Sequence, residues 1–134
     1  MVGTTLVESD IEEGRRLIAT LNKKNRSFRI KGAFWIFQAE SREWRLMIVT
    51  PMVDQRGPFK TYYDVHEVLK GMEPKVSLSP LDISVISPND KLAKGMKRAV
   101  RVPQGFTGVR CGLTRVEDTL VDDAYVYSVV NKAA

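Results

Sequence analysis

The first apolar pattern in the chain is helical: Ile11, Leu17, Ile18 and Leu21 recur at near-helical spacing, while Glu12, Glu13, Arg15 and Arg16 stay polar between them. Ser9-Asp10-Ile11-Glu12 reads as a capping box, whose hydroxyl and carboxylate satisfy free N–H groups at a helix start, so a helix is expected to run to about Asn22. Gly14 lies inside it and costs about 1 kcal/mol relative to alanine. After a basic connector, Lys23 to Arg29, the pattern changes to runs rich in aromatic and branched residues, Ile30 to Ala39 and Trp44 to Thr50. The polar link Glu40-Ser41-Arg42-Glu43 is short enough for a hairpin, which makes the two strands antiparallel. Ala33, Trp35 and Phe37 should face one side, Phe34 and Ile36 the other, and Leu46 and Ile48 alternate with Met47 and Val49. Strands apolar on both faces belong near the middle of a covered sheet.

Pro51 ends the second strand, and Asp54-Gln55-Arg56-Gly57 forms a turn before Pro58, whose missing N–H is harmless at the start of a helix. A helix over Pro58 to Lys70 should bury Phe59, Tyr62, Val65, His66 and Leu69, with Gly71 as its stop. Leu81 to Ser87 alternate as a short strand, and the helix between makes a parallel crossover to the second strand available. Ser87-Pro88-Asn89-Asp90 signals a further helix start, with Ser87 as cap and a run to about Arg101. Pro103-Gln104-Gly105 breaks it, and Thr107 to Val116 and Leu120 to Val130 read as two strands joined around Glu117-Asp118-Thr119. The expectation is one α+β domain over residues 1–134, in the order α-β-β-α-β-α-β-β, with a mixed or antiparallel sheet of about five strands and three helices.

Composition narrows the class. In 134 residues, 43% hydrophobic and 28% charged, there is ordinary globular usage and no repeat or linker that suggests a second domain. A single cysteine, Cys111, closes no disulfide and builds no cysteine zinc site, and no stretch approaches the ~18 apolar residues of a membrane span. A cytoplasmic protein with no membrane association is expected. The balance of 21 Lys and Arg against 16 Asp and Glu gives a formal charge of +5, which suits contact with polyanions.

The distribution of that charge supplies the candidate site. Lys91, Lys94, Arg98 and Arg101 are spaced to share one face of the last helix, opposite Leu92, Met96, Ala99 and Val100. Such a face can lie along a phosphate backbone or on an acidic protein partner; the plainer reading is a lysine-solvated surface helix. Lys23, Lys24 and Arg26, with Arg29 and Lys31, form a second basic group around Phe28, which suits a single strand if that ring is exposed and is an ordinary charged connector if it is buried.

Other chemistry is weaker. Asp54, Asp118 and Asp122 would have to converge for a metal-dependent phosphodiester hydrolase, and adjacent strand residues such as Asp122 and Asp123 point to opposite faces. His66 has no serine or cysteine tied to it by a motif, Cys111 reads as a buried small residue, and Gly105, Gly108 and Gly112 precede a strand, where no helix N-terminus holds a phosphate. No cofactor or metal is implied. The many aromatic residues, Trp35, Trp44, Tyr62, Tyr63, Tyr125 and Tyr127 among them, raise a homodimer that seals one sheet face. The leading expectation is a non-catalytic binding module for nucleic acid or an acidic protein, with the hydrolase and a structural or regulatory homodimer as alternatives.

Overall fold

The computed structural model of the protein describes residues 4–24, 28–116 and 119–127. Leu6 and Ile11, the residues flanking the first helical turn, are both buried in the same cluster, a hydrophobic staple that fixes where the chain enters helix α1, Glu8–Lys24. The Asp10 carboxylate accepts the Val7 N–H at 3.0 Å. The cap therefore lies two residues ahead of the expected Ser9/Glu12 box, because the staple decides the first turn; Glu12 instead pairs with Arg15.

Strands β1, Gly32–Gln38, and β2, Glu43–Val49, form the expected antiparallel hairpin, with Trp35 opposite Leu46. The chain then makes a short additional helix, α2, Met52–Arg56, where the sequence suggested only a turn, and reverses at Gly57, whose φ of 89° suits glycine. Pro58 opens helix α3, Pro58–Lys70. Its buried residues are Thr61, Val65 and Leu69, so the helix is rotated from the expected aromatic stripe and Phe59 is 85% exposed. The double turn through α2 and Gly57 sets that rotation. Tyr62 stays half-buried by donating its O–H to the Pro80 carbonyl at 2.6 Å.

Leu81 leaves the strand pattern for a comparable reason. Pro80–Asp82 is a 3-10 turn closed by a reciprocal cap, Ser79 Oγ accepting from the Leu81 N–H and the Asp82 carboxylate from the Ser79 N–H, which turns Leu81 to solvent. Strand β3 is then only Ile83–Ile86, and it runs parallel to β2 through the crossover. Helix α4, Lys91–Ala99, leads to β4, Gly108–Val116, and β5, Thr119–Tyr127. The described part of the last strand ends at Tyr127; the expected extension to Val130 and the turn residues Glu117 and Asp118 lie outside the described residues.

The described strands form one mixed sheet, α+β in class, in the order β3-β2-β1-β5-β4, antiparallel except for the β2–β3 pair. The alternation in β1 and β2 divides the core in two. Ala33, Trp35, Leu46 and Ile48 meet α1 and α3, whereas Phe34, Ile36, Met47 and Val49 meet Ala93 and Met96 of α4. Two helices thus cover one face and the short α4 serves the other. Among the described residues no helix is long and apolar enough to cross a membrane.

Candidate functional site

Helix α4 is positioned by its ends. Ser87 Oγ accepts the Asn89 N–H at 2.9 Å and donates to the Asp54 carboxylate at 2.7 Å, tying the loop to α2. The helix cap itself is Asp90, which accepts the Leu92 N–H at 2.8 Å, so the start falls three residues later than the sequence suggested. At the other end Val100 takes extended backbone, φ −123° and ψ 126°, and the helix stops at Ala99. Val102 stands before Pro103, a position that disfavours helical backbone, which explains why the helix does not reach Arg101. Arg101 is exposed but belongs to the following loop, not to the helical face.

Lys91, Lys94, Lys97 and Arg98 are all exposed on α4 and at 100° per residue fall within an arc of about 120°. Lys97 is the residue that the three-and-four spacing passed over. Among the described residues elsewhere, seven cations are answered: Arg15 meets Glu12, Arg56 and Lys60 meet Asp64, Arg45 meets Glu43, Lys70 meets Glu67, Lys75 meets Glu73, and Arg110 meets Asp123 at 2.9 Å. Lys91, Lys94 and Lys97 make no ion pair among the described residues.

Beneath this helix runs a groove of about 510 Å³. Phe34, Val49, Met96, Val100 and Val126 give it an apolar floor, and Lys31, Lys94 and Lys97 stand at it. No carboxylate is among its described lining residues. Lys31 comes from the connector group and is brought here by its backbone, whose N–H donates to the Val49 carbonyl at 2.8 Å beside the first strand pair. No other described side chain of that group lines it. Lys23 is on α1, which packs on the opposite sheet face; Phe28 is fully buried; the Lys24 side chain and Arg26 lie outside the described residues.

A second groove, of about 730 Å³, lies by the edge strand β3, between Phe59 and Tyr62 on one side and Leu81, Ser84 and Val85 on the other. Its charges are mixed and engaged: Arg45 donates to the Leu81 carbonyl at 3.1 Å and to Ser84 Oγ at 3.3 Å, and Asp82 is held in its cap. Its chemistry is therefore less directed than that of the lysine groove.

Of the residues weighed for catalysis, Asp54 and Asp123 have structural partners and Asp122 is exposed. Asp54 accepts from Ser87, Asp123 holds Arg110 over the Trp44 ring at 5.3 Å, and Asp118 lies outside the described residues. The hydrogen bond to Asp123 raises the Arg110 pKa above its ordinary value, against the opposing effect of burial. Among the described residues no group of three or more His, Cys, Asp or Glu side chains is placed to hold a metal ion. His66 is half-buried on α3, and Cys111 is half-buried against the second core cluster where full burial was expected. No family description, curated protein or solved structure matches the chain.

Proposed function

We propose that the protein is a non-catalytic binding module for nucleic acid, which it holds through the phosphate backbone on α4. Lys91, Lys94 and Lys97 supply the charge, Arg98 and Arg101 extend it, and Lys31 faces it across the groove. The observation that carries this reading is the run of three exposed lysines on one helix, α4, with no carboxylate partner among the described residues. Lysines that satisfy no internal partner are free to neutralise phosphates and release the counterions condensed on them, which makes binding strongly salt-dependent.

The test is the combined variant K91A/K94A/K97A. Its three sites are exposed, so folding should be retained. With three phosphate contacts removed, the slope of log affinity against log salt should become shallower by about 2 on single strands. A variant with the wild-type affinity and slope would reject α4 as the binding face.

A further inference from the structure

We infer that the nucleic acid is single-stranded and that Phe106 is the platform on which one of its bases stacks, an inference that rests on α4 being the phosphate-binding face. Phe28, the aromatic embedded in the connector cations, is fully buried and presents no ring to a ligand. Phe106 is 59% exposed and lies in the loop that leads from α4 to β4. Val102, at the start of that segment, lines the lysine groove together with Lys94 and Lys97. From Pro103 the chain makes a turn, closed by the Phe106 N–H donating to the Pro103 carbonyl at 3.1 Å, so the Phe106 backbone stays close to Pro103, the residue after the groove-lining Val102. Gly105, at φ 91°, supplies the backbone conformation this turn needs, with open space around it.

Exposed cations beside an exposed ring are the two components of single-strand binding: the cations follow the phosphates and the ring takes a base face, with little dependence on sequence. A duplex offers no such face, because its bases are stacked on one another. The groove argues in the same direction. It is concave and apolar at its floor, with Lys31, Lys94 and Lys97 among its lining residues, a shape that accepts a flexible strand more readily than a rigid cylinder. An acidic polypeptide would use the same lysines but would leave Phe106 without a role.

The experiment is a fluorescence polarisation titration of a labelled thymidine strand of about 20 nucleotides and of a duplex of the same length, with wild-type protein, F106A, F106Y and K91A/K94A/K97A. F106A should weaken strand binding about fivefold or more with an unchanged salt slope and unchanged duplex affinity, and F106Y should restore it to within about twofold. F106A binding the strand as wild type does, while the lysine variant loses salt dependence, overturns the stacking role and leaves the α4 reading standing. Loss of salt dependence in neither variant, or no binding of either oligonucleotide by the wild type, overturns both. Equal displacement of the strand by polyglutamate at matched charge also overturns the inference, in favour of an acidic protein partner.

Discussion

Gly14 is a gap made for a hydroxyl. It sits inside α1, where glycine is a poor helix former, and a methyl group added to it would run into Tyr127 Oη. That hydroxyl cannot easily retreat: it accepts the Trp35 Nε1–H at 2.8 Å and donates to the Ile11 carbonyl at 2.7 Å, with the ring edge-on to Tyr125 and Arg15 over its face. Gly14→Ala gains about 1 kcal/mol in helix propensity but overpacks a fixed site at a cost of about 1–3 kcal/mol. The urea midpoint should therefore fall, and a rise would show that Tyr127 moves aside freely. Burial raises the Tyr127 pKa above its ordinary value, an effect only partly offset by the hydrogen bond from Trp35. The unfolded tyrosine loses its proton near pH 10 while the folded one keeps it, so the unfolded state then binds fewer protons and stability falls as pH rises above about 10. Tyr127→Phe leaves Trp35 Nε1–H and the Ile11 carbonyl without this partner and should cost about 1–3 kcal/mol at pH 8, with a smaller deficit at pH 11. A constant deficit across that range would contradict the assignment.

Among the elements, the strands and the ends of α3 were legible, and the ends of α1 and α4 were not. The side-chain period of two leaves a strand little choice, so the faces of Ala33, Trp35, Phe34 and Ile36 read from the sequence are those in the two core clusters. A helix can begin a residue or two earlier, or rotate by part of a turn, and still bury an apolar stripe. Leu6 with Ile11 set the start of α1, and the turn at Gly57 set the rotation of α3; both are tertiary choices among several locally acceptable ones. The revised cap gives a direct check. Asp10→Ala should cost about 1–2 kcal/mol, since it leaves the Val7 N–H without its charged acceptor, while Ser9→Ala, at an exposed position, should stay within about 0.5 kcal/mol. Equal losses in thermal or urea unfolding would restore the Ser9 box.

In the whole molecule Lys31 of the connector group joins the lysines of α4 at one groove, while Lys23 lies on α1 at the opposite sheet face. Charge pattern alone pointed to α4, and Lys91, Lys94 and Arg98 are exposed there as the spacing implied. What pattern could not reach was Lys31, sixty residues away in sequence from Lys91 and brought to the groove only by sheet pairing, or the termination of the helix before Arg101. Of the aromatic residues that raised a sealing partner, Trp35, Trp44 and Tyr127 are buried in the chain's own core, Tyr62 and Tyr125 are half-buried, and Tyr63 is exposed. Phe106 is different, since it adds little to either core cluster and stands in solvent after the basic helix. The central claim is that α4 binds the phosphates of nucleic acid. The measurement that tests it most directly is the affinity of the wild-type protein for a labelled single strand at ionic strengths from about 50 to 200 mM. Binding through α4 should be micromolar or tighter at the low end and weaken steeply and linearly on a log–log scale; no binding at the low end, or binding indifferent to salt, would rule out α4 as a phosphate-binding face.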